Sequence, residues 1–408
     1  MSARRFIIPG LFLLAAIPRL AGLGYPDRLV FDETHYARDA CVYVGESDCE
    51  LAAEENLEHP PLGKWLIGVG IALLGNDAFG WRVMSAVAGS ISVLLLYVLA
   101  LRLSGSTRVA VLASGLLALD PLHLVQSRVA MVDIFVLAFG LGAIVCAERG
   151  WTPVVGGLGG AAIACKWSGL AFLVVAGALL LHRDRRPLPR SIGVLIGSAM
   201  VVYVASYLGR VDGFGDLLAR QADMWSFHAA LSHTHPYASS PLSWLLVQRP
   251  VAYLFGTTNG KVAEIMALGN PLLWWPALGA LGFSAWRWRR AQADRTMKLA
   301  VVGFAATFGM WVIASAFRST MFLFYMVAVL PFMYLALASL VARWGAAAAL
   351  ASVLALASFV FFWPVVTAEP LTPAAWHQRL LFEGCEVAEP LIGATPGGDP
   401  APPGWCWI

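Results

Sequence analysis

Val83 to Leu101 reads VMSAVAGSISVLLLYVLAL, nineteen residues without a charge between Arg82 and Arg102. A helix rises about 1.5 Å per residue, so this run nearly matches the about 30 Å hydrocarbon core of a bilayer. Its apolar positions are continuous and not alternating, which favours a helix with internally closed hydrogen bonds over a barrel strand. Similar runs recur, and we expect spans near 6–24, 82–102, 107–122, 130–147, 152–165, 168–182, 191–209, 270–287, 299–316, 321–342 and 346–364. The chain therefore reads as an all-α polytopic membrane protein with about 11 transmembrane helices in a single domain over 1–408. The stretch 62–75 is apolar but short and is followed by Asn76 and Asp77. It reads as an interfacial helix, because counting it as a span would invert every later connector.

The 408 residues are 59% hydrophobic and only 13% charged, with mean hydropathy +0.70. A net charge of +3, carried by short basic clusters between apolar runs, gives no support to nucleic-acid binding. The same clusters set a topology. Arg4 and Arg5 precede the first span and place the N-terminus in the cytoplasm, and Arg102, Arg108, Arg149, Arg183, Arg185, Arg186, Arg190, Arg287, Arg289, Arg290, Arg295, Lys298 and Arg343 then fall on that side. The opposite side receives a first loop (25–81), a second large loop (210–269) and the C-terminal tail (365–408). The first run has the basic start of a signal peptide, but the many later spans favour a retained helix. Cys41 and Cys49 share the first outer loop, and Cys385 and Cys406 share the tail. Two local disulfides are expected there, with four free thiols as the plain alternative.

The rare charges gather at one level. Asp32 and Glu33 follow the first span; Glu58-His59-Pro60-Pro61-Leu62-Gly63-Lys64 closes the first loop; Asp120, Arg128 and Asp133 surround one outer hairpin, Lys166 another, and Arg318 follows the ninth span. Ionisable groups at a bilayer edge usually face a cavity or one another. Cations suit a phosphate and carboxylates suit a general base for a hydroxyl proton, which together fit a lipid-linked sugar entering from the membrane. Each residue has a plainer reading: Asp32 and Glu33 as helix caps, Arg128 and Lys166 as snorkelling anchors, His59 as a turn residue. The loop 210–269 adds Trp225, His228, His233, His235, Tyr237, Trp244, Arg249 and Asn259 as substrate contacts or interface anchors; the histidine spacing fits no metal-ligand pair, so no metal is expected.

Phe31-Asp32-Glu33-Thr34-His35-Tyr36, His59-Pro60-Pro61-Leu62-Gly63-Lys64, Asp120 with Ser127-Arg128 and Asp133, and Cys165-Lys166-Trp167-Ser168-Gly169-Leu170 together resemble the protein O-mannosyltransferases. So do His235-Pro236-Tyr237 with Ser240 and Trp244, Gly269-Asn270-Pro271 with Trp274-Trp275, and Arg318 with Phe322 to Tyr325 and Pro331. The likeness runs through nearly the whole chain in order. It implies a GT-C glycosyltransferase of the bacterial type, lacking the sugar-binding MIR insertion of eukaryotic members, with an extracytoplasmic C-terminus and an active site on that side of the plasma membrane.

The resemblance implies mannose transfer from polyprenyl-phosphate-mannose to Ser or Thr hydroxyls of secreted or membrane proteins, with the secretion translocon as a candidate partner. Asp32 would act as general base in an inverting, metal-independent displacement that needs no cofactor, and Glu33 would position it or touch substrate. Arg128, Lys166 and Arg318 would hold the donor phosphate. His59, Lys64, Asp133, His235, Tyr237, Asn270 and Tyr325 are further substrate-binding candidates. A GT-C transferase for another lipid-linked sugar, of aminoarabinose or arabinose type, is the nearest alternative. A transporter is remote, because the charges lie at one surface and no repeat is visible.

Overall fold

The computed structural model describes residues 4–46, 49, 55–183, 188–231, 235 and 237–379, and these are mostly helical. α1 (Arg4–Leu20) ends where its last carbonyls would lie orphaned. Arg128 meets them, its guanidinium donating to Pro18 O at 2.7 Å, Arg19 O at 3.3 Å, Ala21 O at 2.7 Å and Gly22 O at 3.2 Å. α2 (Glu33–Val44) and α3 (Leu62–Leu74) pack on each other, and Cys41 at the end of α2 is bonded to Cys49. The expected partners Cys385 and Cys406 lie outside the described residues, as do His233, Arg185 and Arg186.

α4 (Ala78–Ser104) contains the long apolar run. Asp77 caps it by accepting from Phe79 N at 2.9 Å and Gly80 N at 2.8 Å, and Gly105 ends it in the left-handed region. The expected span 107–122 is shorter and broken: α5 (Thr107–Ala118) gives way to α6 (Pro121–Arg128) through a 60° bend. Pro121 cannot extend the ladder of α5, and Asp120 instead starts α6 by accepting from His123 N at 3.0 Å. α7 (Asp133–Ala147), α8 (Thr152–Cys165), α9 (Leu170–Arg183) and α10 (Leu188–Ala205) follow the expected spans.

The second large loop corrects the all-α expectation. After α11 (Phe214–Ala230) and α12 (Pro241–Trp244) it forms an antiparallel hairpin of β1 (Val251–Thr258) and β2 (Lys261–Ala267). Thr258 pairs with Lys261 around Asn259-Gly260, which sit at φ 52° and 71° as a two-residue turn of this hand requires. Then come α13 (Pro271–Arg289), α14 (Arg295–Ala314), α15 (Leu330–Val341), α16 (Gly345–Thr367) and α17 (Pro373–His377). The expected span 321–342 starts instead as a 3₁₀ segment, Leu323–Ala328, before α15.

Among the described residues, α4, α10, α14 and α16 are long and apolar enough to cross a membrane, with a fifth span if α5 and α6 count as one, and shorter apolar helices lie beside them. α15 is buried along its length, whereas Ile196, Val201, Val353 and Val360 lie exposed on α10 and α16. Exposed aliphatic faces of this kind suit lipid and not water.

Glu33 is wholly buried and pairs with Arg82 of α4 through Nε–Oε1 at 2.8 Å and Nη2–Oε2 at 2.9 Å. The carboxylate also accepts Val30 N at 3.0 Å and Ala130 N at 2.8 Å, while Arg82 donates to the carbonyls of Leu23, Pro26 and Arg28. The expected catalytic or substrate contact of Glu33 is therefore corrected, since both its oxygens are consumed in tying the first loop to α4 and to the α6–α7 turn. Glu33→Gln leaves Arg82 buried without a counter-charge, a loss of about 3–5 kcal/mol. Thermal unfolding of the detergent-purified variant checks this; an unchanged midpoint would refute the clasp.

Candidate active site

Asp32 occupies the residue before α2, but its side chain makes no capping hydrogen bond. Because the helix does not use it, the carboxylate is left to face inward, with Tyr36 Oη one turn on at 3.5 Å. Burial, opposed by nearby Lys166 and reinforced by Glu58 and Asp133, pushes its pKa up to about 7 from 3.8.

Lys166 sits in extended backbone between α8 and the 3₁₀ turn Trp167–Gly169. That sharp return brings Gly169 against the chain of α8, where a Cβ would stand 2.3 Å from the carbonyl carbon of Ala162, so only glycine fits. The Lys166 ammonium donates to Asp133 Oδ1 at 2.9 Å and Oδ2 at 3.0 Å and lies 4.5 Å from the ring centre of Tyr325. Tyr325, on the 3₁₀ segment, stacks on Trp311 of α14 at 4.1 Å. Arg318, just past α14, is held by Thr320 O at 2.7 Å and reaches Tyr325 Oη at 3.5 Å and His228 Nδ1 at 3.3 Å.

His228 of α11 donates from Nε2 to Glu58 O at 2.8 Å, which leaves Nδ1 as the acceptor for Arg318. Burial, with Arg318 beside it, lowers its pKa to about 4, so the ring is neutral. His59 stacks on His228 at 5.4 Å, and burial lowers its pKa too, with Lys166 adding to the effect. A cavity of about 450 Å³ is lined by His59, Lys166, His228 and Arg318 together with Trp225, Met310, Trp311 and Phe317, and Asp32 lies near enough to Lys166 for the two charges to interact. Beyond His59 an open depression of about 610 Å³ is lined by His35, Asn56, Glu58, Asp223 and Phe227.

Asp32, His59, Asp133, Lys166, Arg318 and Tyr325 thus converge as expected. Other candidates do not. Arg128 is spent on the end of α1 and stands 5.7 Å from the ring of Trp363, so it holds no donor phosphate here. Lys64 is buried against Asp39 at 2.6 Å and Asn56 O, joining α3 to α2. Asn270 is buried at the start of α13 and donates to Ser358 Oγ of α16 at 2.7 Å. His235 stands edge-on to Phe322 at 5.0 Å and accepts from Tyr237 N, a layer behind Tyr325. Asp120, grouped by sequence with the site, instead accepts from Trp274 Nε1 at 2.9 Å and Tyr334 Oη within the core. Tyr36 and Trp311 were absent from the expected set. The i, i+4 spacing from Asp32 could have flagged Tyr36, whereas Trp311 lies inside an apolar helix without any local signal.

Two family profiles match the chain: one described as dolichyl-phosphate-mannose-protein mannosyltransferase over residues 58–208, and one described as the C-terminal four TMM region of protein-O-mannosyltransferase over 214–384. A polyprenol-phosphate-mannose--protein mannosyltransferase of Mycolicibacterium smegmatis is 28% identical over 470 aligned positions, covering 90% of each chain. Among solved structures, the S. cerevisiae protein O-mannosyltransferase Pmt1-Pmt2 complex bound to the sugar donor superposes with TM-score 0.78 over 94% of this chain and 93% of that one, at 13% identity. ArnT from Cupriavidus metallidurans bound to undecaprenyl phosphate gives 0.56 at 21% identity, over 82% of this chain and 59% of that one. At these identities the two structures speak to the fold alone.

An acid titrating near 7 when folded and at 3.8 otherwise keeps its proton in the folded chain between those values, so stability falls as pH rises through that window. We expect Asp32→Asn to raise the unfolding temperature at pH 8 by several degrees and to leave it unchanged at pH 4. Melting curves at the two pH values check this; equal shifts would show that Asp32 is not held in a charge-averse environment.

Proposed function

The chain belongs to the protein O-mannosyltransferase family, and from that premise we propose that it transfers mannose from polyprenyl-phosphate-mannose to Ser or Thr hydroxyls of secreted or membrane proteins, with Asp32 as general base. It is a membrane glycosyltransferase of the GT-C fold. What supports the mechanism is a buried carboxylate, Asp32, close enough to Lys166 to feel its charge, beside a cavity that Lys166 and Arg318 both line.

In this reading the acceptor hydroxyl enters from the depression beside Glu58, and Asp32 takes its proton as the oxygen attacks the anomeric carbon. The bond from that carbon to the phosphate oxygen breaks, and its electron pair leaves with the polyprenyl phosphate. Lys166 and Arg318 neutralise the charge gained there. Because Asp133 and the Thr320 carbonyl hold them beforehand, little reorganisation is required in the transition state. Attack from the face opposite the phosphate inverts the centre, so a β-linked donor yields an α-mannoside. Met310, Trp311 and Phe317 offer an apolar wall for the first isoprene units. Neither a cofactor nor a metal has a part in this scheme. An aminoarabinose- or arabinose-type donor is the competing reading, and assay with each lipid-linked sugar separates the two.

The basic connectors support a reading with the N-terminus in the cytoplasm, Asp32 outside a bacterial plasma membrane, about eleven spans, 25–81 and 210–269 as outer loops and an outer tail from 365. The Cys41–Cys49 bond lies on the Asp32 side of the chain and suits an oxidising compartment. Secreted acceptors would meet the enzyme there, beside the translocon.

Purified enzyme with donor and a Ser/Thr-rich peptide, read by mass spectrometry, tests the base. Asp32→Asn should lose about 10²–10⁴-fold in transfer, and the wild-type rate should climb as pH rises through about 7, since only the ionised carboxylate accepts the proton. Near-normal transfer by the variant would remove Asp32 from the role. Arg318→Ala should raise the donor concentration needed for half-maximal rate about 10-fold or more, the scale of a lost charged hydrogen bond. An unchanged donor dependence would dismiss Arg318 as a phosphate ligand.

A further inference from the structure

A second cavity, of about 610 Å³, runs between α1, α5 and α16, away from the Asp32 site. Its walls are Leu11 and Leu14 of α1, Gly115 of α5, and Ala348 and Ser352 of α16, and one charge joins them, Arg108 in the first turn of α5. The Arg108 side chain is exposed and has no hydrogen-bond or ion-pair partner among the described residues.

Small residues on facing helices commonly let backbones close together. Here they do not. A Cβ built on Gly115 or on Gly345 would meet nothing within 4 Å, so the small side chains bound a space and not a contact. The large side chains of α16 lie elsewhere, with Leu350 and Val353 exposed to 59% and 62%. An aliphatic void of this volume falls in the about 300–1,000 Å³ range of small-ligand sites, and in a bilayer an acyl chain can fill it. Two more exposed arginines flank its lining along the chain: Arg102 ends α4 just before α5, and Arg343 stands between Ala342 and Gly345. Basic pockets between membrane helices recognise anionic lipid headgroups.

We propose that this groove binds one anionic glycerophospholipid, an acyl chain lying along α5 and the phosphate on Arg108. The site is separate from the donor cavity and does not depend on which sugar is transferred.

The test uses the full chain in detergent, titrated with dioleoyl-phosphatidylglycerol or dioleoyl-phosphatidylcholine and read by native mass spectrometry. One phosphatidylglycerol should be retained in preference to phosphatidylcholine. Arg108→Ala should weaken that retention about fivefold, the effect of one basic residue near a bilayer surface. Gly115→Leu, which fills the open space, should abolish it, and mannosyl transfer by both variants reports that they have folded; if Gly115→Leu does not fold, Arg108→Ala alone decides. Equal retention of the two lipids, or unchanged retention in Arg108→Ala, overturns the proposal. So would preferential retention of undecaprenyl phosphate, or a dimer that Gly115→Leu dissociates, which would assign the groove to the carrier lipid or to a second copy.

Discussion

The Glu33–Arg82 pair is the constraint from which the geometry of the site follows. Two opposite charges fully removed from water are tolerable only when each finds further partners, and here both do: two backbone amides for the carboxylate and three carbonyls for the guanidinium. Those partners belong to three separate stretches, the exit from α1, the start of α2 and the turn between α6 and α7. One ion pair therefore fixes the segment that carries Asp32 against the segment that leads into Asp133. Adjacent acids have opposite fates because the start of a helix points them in different directions, Glu33 to Arg82 and Asp32 towards Tyr36 and Lys166.

Three cations that look alike in the sequence divide by what surrounds them. Arg128 has four carbonyls within reach at the end of α1, and its planar fork of donors suits that task. Lys166 has a carboxylate on one side and an aromatic ring on the other, which hold its charge in place without covering it. Arg318 rests on the Thr320 carbonyl, a neutral histidine and the Tyr325 hydroxyl, and it lines the cavity. Access to the cavity, and not the charge as such, separates Lys166 and Arg318 from Arg128. The same logic bears on Asp32, whose raised affinity for a proton comes from burial that its neighbours only partly offset.

Much of the architecture was legible because lipid leaves few choices. An apolar run long enough to span must be helical, so α4, α10, α14 and α16 fall where continuous hydropathy puts them, and the shorter apolar helices α7 and α8 follow the same pattern. The breaks were less legible. Pro121 and Pro331 stand at the starts of α6 and α15, yet a proline within an apolar run can kink a helix as readily as begin one, and only packing decides. The Asn259-Gly260 turn between two largely apolar runs, Val251 to Phe255 and Val262 to Ala267, was a readable hairpin signal.

By itself the sequence determined the membrane-helical class, the order of the apolar helices and the gathering of ionisable residues between them, because hydropathy and charge are local properties of the chain. The tertiary structure alone decided which of those residues share a cavity. Asp32, Lys166 and Arg318 are separated by more than a hundred positions and come near one another only when α2, α8 and α14 pack, while Glu33, Lys64, Arg128 and Asn270 are consumed by partners from other elements. Whether a charge is spent on the fold or kept for a ligand depends on the hydrogen-bond partners that packing brings within 3 Å or so, and no neighbour along the chain reveals them.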